Sequence, residues 1–230
     1  MFRNNKVSVL MPAYNEEKSI AKVISGIPKQ IVDEIIVIDN GSTDNTAALA
    51  VQNGARLVRE QRRGYGVCCL RGIEAISDTD IIVILDSDYS DYPQQINRLI
   101  EPIAAGEADF VIGSRVLGRL EDGALTPQQY WGNKLAVFMI HRLFGYRFTD
   151  MGPFRAIRYE SLKKLDMQDK DFGWNAEMQI KAVKSGLKIK EVPVDYRKRI
   201  GDSKISGTIS GTIKAGTKII FTIFKYFLER

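Results

Sequence analysis

Ile81-Ile82-Val83-Ile84-Leu85-Asp86-Ser87-Asp88 is an unbroken apolar run closed by two carboxylates one residue apart. An apolar segment of that length, ended by a polar turn, reads as a strand buried on both faces, the pattern of a parallel sheet covered by helices. Ligands of open α/β sheets sit outside the carboxyl ends of their strands, so Asp86 and Asp88 mark the expected active edge. A polar strand-to-helix turn would use the same residue types, and Asp-x-Asp alone does not decide between the two.

The pattern repeats on both sides of this run. Upstream, Val7–Met11 reads as a first strand, stopped by Pro12-Ala13-Tyr14-Asn15, with Asn15 as helix N-cap and helical spacing from Glu16 to Ile27. Ile35–Ile38 reads as a second strand ending at Asp39, followed by a polar turn and a helix to about Gln52. A third short strand, Arg56–Arg59, precedes Arg62-Arg63-Gly64-Tyr65-Gly66 and a helix through Ile76. Downstream, Ile96, Leu99, Ile100 and Ile103 predict a helix, and Phe110–Arg115 another strand end. Val116–Leu125 reads as a loop. Gln129–Phe144 reads as a helix with an apolar face of Leu135, Val137, Phe138, Ile140 and Leu143, Glu177–Ser185 as a helix, and Ile189–Val194 as a strand. Strand-turn-helix alternation predicts right-handed βαβ units in a doubly wound, mostly parallel sheet.

At 230 residues and 44% hydrophobic composition the chain can bury one substantial core, and its composition argues against disorder. The net charge of +5 is unevenly spread. From Arg197 onward there are eight basic residues against Asp202 and Glu229, which points to a phosphate-rich ligand, an anionic membrane surface or a solvated basic face. The two cysteines, Cys68 and Cys69, are adjacent and unsuited to a disulfide; they read as packing residues of a protein in a reducing cytosol, and His141 reads as a surface or packing residue of its helix. Val7–Met11 is too short for a signal peptide core, and no stretch reaches the roughly 20 apolar residues of a membrane-spanning helix.

Taken together and in order, Met11-Pro12-Ala13-Tyr14-Asn15-Glu16, Ile38-Asp39-Asn40-Gly41-Ser42-Thr43-Asp44, Asp86-Ser87-Asp88 and Gly113-Ser114-Arg115 resemble the motifs of family 2 glycosyltransferases of the GT-A fold. Asp150-Met151-Gly152-Pro153-Phe154-Arg155 and Arg199-Ile200-Gly201-Asp202-Ser203-Lys204 resemble the later motifs of the dolichyl- and polyprenyl-phosphate mannose and glucose synthase branch. The resemblance covers nearly the whole chain. It implies a GT-A catalytic domain over residues 1–206 and a basic amphipathic helical extension over residues 207–230.

The resemblance also implies roles. Pro12, Ala13, Tyr14, Asn15 and Glu16 would line a nucleotide pocket, Asp39 would accept hydrogen bonds from base or ribose, and Gly41 and Ser87 would lie beside the donor. Asp86 and Asp88 would hold Mg²⁺ or Mn²⁺, hard cations that take oxygen ligands and bridge carboxylates to phosphates. Where many relatives place a further polar ligand, this chain has Ser90, with Asp91 next to it. Arg199, Ser203 and Lys204 would close over the diphosphate. Arg115, Lys134, Asp150 and Arg155 would serve the acceptor, with Arg155 alternatively a structural partner of Asp150 or another acid. Lys134 stands in for the basic residue and serine with which dolichyl-phosphate synthases usually open the corresponding helix. Glu177 is either a base for a neutral hydroxyl acceptor or an orienting acid for nearby cations. Asp88, Arg115, Glu177, Arg199 and Lys204 are thus the expected catalytic residues.

In the tail, Ile209, Ile213, Ile220, Ile223, Phe224 and Phe227 recur at helical spacing with Lys214, Lys218 and Lys225 between them. That pattern suits a helix in a membrane interface or one packed on the core or on another subunit. The implied activity is inverting transfer of a hexose from UDP-glucose or GDP-mannose to a polyprenyl phosphate. The implied partners are that donor and a lipid acceptor, with peripheral contact at the cytoplasmic membrane face and no nucleic acid; a homo-oligomer is compatible with it. The rival readings are transfer to a soluble or hydroxylated lipid acceptor, and sugar-nucleotide binding without turnover.

Overall fold

The computed structural model describes residues 1–201 and 209–229. Among the described residues fifteen strands and α-helices occur, alternating as the hydrophobic pattern predicts through the first half of the chain. They are β1 (Val7–Ala13), α1 (Ile20–Gly26), β2 (Glu34–Asp39), α2 (Thr46–Gln52), β3 (Arg56–Arg59), α3 (Tyr65–Ala75), β4 (Ile81–Ile84), α4 (Ile96–Ala104) and β5 (Phe110–Ser114), followed by α5 (Pro127–Phe144), β6 (Arg155–Arg158), α6 (Tyr159–Leu165), α7 (Trp174–Lys184), β7 (Ile189–Pro193) and α8 (Ile209–Leu228). The strands form one seven-stranded sheet in the order β3-β2-β1-β4-β6-β5-β7.

All pairings are parallel except those of β6, which runs antiparallel to β4 and β5. The sequence reading missed β6 and α6. Four residues that begin and end in arginine, Arg155-Ala156-Ile157-Arg158, carry too little apolar periodicity to announce a central strand. The sheet is covered on both faces, and strand residues divide between them with the period of two that a pleat imposes. Leu10, Ile36, Ile82, Ile84 and Ile112 pack with α3 and α5–α8, whereas Val9, Met11, Val37, Val83 and Val111 pack with α1, α2 and α4. Ile81, Ile82, Val83 and Ile84 are wholly buried, each stabilising the fold by about 1.5–3 kcal/mol.

Local signals set the helix ends. α5 starts two residues earlier than its periodicity suggests, because Thr126 caps it reciprocally with Gln129 and Pro127 occupies the first turn; it stops at Gly145, whose φ of 77° is the left-handed conformation glycine favours. α1 corrects the expectation at Asn15: the helix starts at Ile20, and Asn15 has φ 52° in a loop, so it is not an N-cap. The apolar face predicted for α5 is also divided. Ala136 and Ile140 are buried, while Leu135 and Phe138 face outward. In α8 Ile223 and Tyr226 enter the core and Phe227 meets Phe144 of α5 edge-on, their ring centroids 6.2 Å apart. Among the described residues no helix is long and apolar enough to cross a membrane.

Candidate functional site

From β1 the chain winds outward through β2 and β3, then returns to place β4 on the other side of β1. This reversal opens a crevice at the carboxyl ends of β1 and β4, where Pro12 and Ala13 face Asp86-Ser87-Asp88. The Ser87 hydroxyl closes the seam by donating to the Pro12 carbonyl at 2.8 Å. A cavity of about 690 Å³ opens above it. Of the residues singled out from sequence, Pro12, Ala13, Tyr14, Glu16, Asp86, Ser87, Asp88, Arg115 and Arg199 line that cavity.

Its floor is acidic. Asp88 Oδ1 accepts from both the backbone N–H and the hydroxyl of Ser90, at 2.9 and 2.5 Å, so Ser90 holds Asp88 in place. Asp88 Oδ2 lies 3.1 Å from Arg199, whose other terminal nitrogen donates to Glu16 at 2.9 Å. The Tyr65 hydroxyl donates to Asp86 at 3.3 Å. Burial and the nearby Asp88 carboxylate push the Asp86 pKa up to about 7, against the opposing pull of Arg199 and Tyr65. Asp91 lies behind the pair with both carboxylate oxygens buried and without hydrogen-bond partners; burial, then Asp86 and Asp88, drive its pKa well above the carboxylate range. The donors are hard oxygens crowded with more negative charge than Arg199 neutralises, which is the chemistry a divalent cation relieves. Asp86 and Asp88 therefore fit Mg²⁺ or Mn²⁺. Among the described residues no third His, Cys, Asp or Glu completes a protein-only cage.

One wall of the cavity is a knot of loops. Asn15 donates its N–H to the Ser42 hydroxyl and accepts from Thr43 N–H, Glu16 N–H donates to Thr46, and Ser42 N–H donates to Asp39. Asp39, Asn15 and Gly41 thus sit beside the cavity and shape its wall without lining it; Gly41 takes φ 69° there. The surface itself belongs to Asn40, Arg63 and Tyr14. Arg63 lies 3.7 Å from the centre of the Tyr14 ring and donates to the Asn40 carbonyl at 2.6 Å. Sequence reasoning missed Asn40, Arg63 and Tyr65, although Arg62-Arg63-Gly64-Tyr65-Gly66, a basic glycine-bearing turn opening a helix, was a readable anion-loop signal.

The opposite wall corrects several expectations. Arg115 reaches the cavity, but its Nε and one terminal nitrogen are bound to Asp150 at 2.8 and 2.7 Å. Burial works against the Arg115 charge and Asp150 more than offsets it, holding its pKa above the usual guanidinium value. Asp150 is completely buried and serves Arg115 rather than a ligand. Arg155 is also completely buried, and donates to the carbonyls of Gly152, Met151 and Asn175; burial lowers its pKa to about 10. It takes the structural role, with backbone carbonyls as partners instead of Asp150. Lys134 is exposed on α5 and stacks on Tyr130 and Trp131; the residue that α5 turns toward the cavity at this level is Asn133.

Glu177 is wholly buried and away from the cavity. It accepts from the N–H groups of Gln168 and Asp169 at 2.8 and 2.7 Å and from the Tyr226 hydroxyl at 2.6 Å, and pairs with Lys181 at 2.8 Å. It therefore ties α8 to the 168–173 loop and has no access to a substrate. Lys218 adds a second tie, 2.8 Å from Asp169. So anchored, α8 supplies part of the cavity wall through Thr212, Ala215, Gly216 and Ile219, residues that the sequence reading assigned only to an amphipathic tail. Ser203 and Lys204 lie outside the described residues.

The chain is similar to known proteins. The profile described as glycosyl transferase family 2 matches residues 8–166. An uncharacterized glycosyltransferase of Mycobacterium tuberculosis is 33% identical over 217 residues, covering 91% of this chain and 94% of that protein. A UDP-N-acetylglucosamine–dolichyl-phosphate N-acetylglucosaminyltransferase of Methanococcus voltae is 30% identical over 211 residues, covering 82% and 84%. Glucosyl-3-phosphoglycerate synthase from Mycobacterium tuberculosis, solved with Mn²⁺, UDP and glucosyl-3-phosphoglycerate, superimposes with a TM-score of 0.77 at 25% identity over 97% of this chain and 80% of that one.

Proposed function

Because this chain belongs to glycosyl transferase family 2, we propose that it is an inverting, metal-dependent hexosyltransferase that moves a sugar from UDP-glucose or GDP-mannose to a polyprenyl phosphate at a membrane surface. The observation that carries the reading is the juxtaposition of the Asp86–Asp88 pair with Arg199 and Arg115 in one cavity large enough for a nucleotide sugar and a second phosphate. In this reading Tyr14, Asn40 and Arg63 receive the nucleoside, held in shape by Asn15, Asp39 and Gly41. Asp86 and Asp88 would hold Mg²⁺ or Mn²⁺, which would supply Lewis-acid neutralisation of the diphosphate.

Arg199 moves from Glu16 and Asp88 to the diphosphate when donor arrives, exchanging one set of anionic oxygens for another. Arg115, kept charged and fixed by Asp150, orients the acceptor phosphate. An ionised phosphate oxygen attacks the anomeric carbon from the side opposite the nucleotide. A new C–O bond forms as the bond to the nucleoside diphosphate breaks, and the leaving group departs with the electron pair. The nucleophile carries no proton to remove, so the mechanism rests on positioning and charge, in keeping with the burial of Glu177 away from the cavity. The Methanococcus voltae relative, whose name gives dolichyl phosphate as acceptor, favours this branch.

The glucosyl-3-phosphoglycerate synthase likeness supports a second reading, a small soluble phosphate as acceptor. A thermal-shift screen of nucleotide sugars with and without Mn²⁺, followed by radiolabel transfer, separates the possibilities. The matching donor raises the melting temperature only with metal present, and label enters a polyprenyl phosphate in detergent. Label entering 3-phosphoglycerate instead would establish the second reading, and donor binding without transfer to either would leave neither standing.

A further inference from the structure

The cavity opens between α5 and α8, which contribute Asn133 and Ala136 on one side and Gly216 and Ile219 on the other. Outside the cavity, each helix carries an apolar stripe turned to solvent. On α5 Trp131, Leu135 and Phe138 are 66%, 48% and 59% exposed, at the spacing of a single helical face. On α8 Ile213, Phe221, Phe224 and Leu228 form the matching stripe, all exposed. The helices run side by side in the same sense, since their amino-terminal halves both line the cavity and their carboxyl ends meet at Phe144 and Phe227.

Charge identifies what this surface fits. The two helices contain no acidic residue, and with Lys218 paired to Asp169 and Lys225 to Glu229, Lys134, Arg142 and Lys214 are the cations left without an ion pair among the described residues. Lys134 stacks on Tyr130 and Trp131, so its ammonium group sits at the level of two aromatic rings with one apolar and one wet end. A second copy of this chain, docked face to face, would set these cations against their own counterparts. A phospholipid bilayer offers the complement, an apolar interior beneath anionic headgroups.

We propose that the outer faces of α5 and α8 form one docking surface for an anionic phospholipid bilayer, seating the mouth of the cavity on the membrane so that a lipid phosphate enters between the two helices. The proposal rests on the lipid-acceptor reading for what enters, while the docking itself is measured separately. The surface differs from the tail helix expected from sequence alone, because half of it comes from α5 and because Ile223 of the tail is buried.

The test uses the full chain and vesicles of phosphatidylcholine, with or without about one-third phosphatidylglycerol. The native chain sediments with the anionic vesicles and is released by salt, whereas Trp131→Glu/Phe224→Glu binds about tenfold more weakly. Val51→Glu, an exposed change on α2, binds as the native chain does. Transfer to polyprenyl phosphate embedded in vesicles falls with binding in the double variant, while transfer in detergent micelles is retained. Equal vesicle binding by native and double-variant chains would overturn the proposal. So would a dimer on size exclusion that the double variant dissociates, since a second copy would then occupy the surface. Absence of transfer in both vesicles and detergent, with binding intact, would defeat the lipid-acceptor reading and leave the docking surface standing.

Discussion

Asp88 and Glu177 are both buried acids on the carboxyl-edge side of the same sheet, and they do opposite work. Asp88 follows a parallel strand at the switch point, is fixed by Ser90 through one oxygen, and turns the other toward the cavity and Arg199. Glu177 sits in the first turn of α7, where two backbone N–H groups, a tyrosine and a lysine take up its oxygens. Burial therefore does not separate a site residue from a scaffold residue. The difference lies in whether every lone pair is spent within the protein.

The sharpest way to break this comparison is to remove each carboxylate and read activity and stability together. Asp88→Ala is expected to lower transferase activity on the order of 10³-fold, about 4 kcal/mol in the barrier, with little change in melting temperature. Full activity with added Mn²⁺ would place the metal and the diphosphate elsewhere. Glu177→Ala is expected to do the reverse. It leaves Lys181 without its buried partner and two N–H groups unpaired, costing about 3 kcal/mol and lowering the melting temperature by roughly 6–12 °C, while kcat well below that temperature falls less than about tenfold. A collapse of kcat in a stably folded Glu177→Gln variant would restore a catalytic role to this residue.

The two regions also differ in how much of them could be read in advance. Asp39, Asp86, Asp88 and the Pro12–Glu16 loop were legible because parallel strands buried on both faces leave few polar residues, and those stand at the strand ends that a doubly wound sheet turns into a crevice. From Asp150 onward the signal weakens for a physical reason. An antiparallel strand of four residues interrupts the alternation, and the acids and arginines there are recruited to satisfy backbone groups in irregular loops. Asp150, Arg155 and Glu177 look like ligand-binding residues by type, and only their hydrogen bonds reveal otherwise. The tail fared similarly: its apolar period was visible, but which stripe would be buried depended on α5 and α7, elements distant in sequence.

A third perturbation sharpens how the regions are joined. The 168–173 loop lies directly on α3, where a Cβ added to Gly66 would meet the Asp169 carbonyl oxygen at 2.0 Å. Both partners are backbone, so neither swings aside. Gly66→Ala is expected to cost about 2 kcal/mol and to displace a loop that brings Asp171 and Phe172 to the cavity. Stability and the Michaelis constant for acceptor should worsen together. An unchanged melting temperature by calorimetry would mean that the loop is not seated on α3 as described.

The smallest effect is expected at the seam between β1 and β4. Ser87 stands between the two acids, yet its hydroxyl faces the fold, reaching the Pro12 carbonyl at 2.8 Å across the switch point. Ser87→Ala removes one neutral hydrogen bond and leaves that carbonyl without its donor, a loss of about 1 kcal/mol. The positions of Asp86 and Asp88 depend on β4 and on Ser90 more than on this bond, so metal and donor affinity should change by less than about threefold in titration calorimetry. If instead Ser87→Ala lost donor binding as completely as Asp88→Ala, the hydroxyl would have to turn from Pro12 to the ligand when the site fills. The division between residues that hold the crevice together and residues that face what enters it would then run through Ser87 itself.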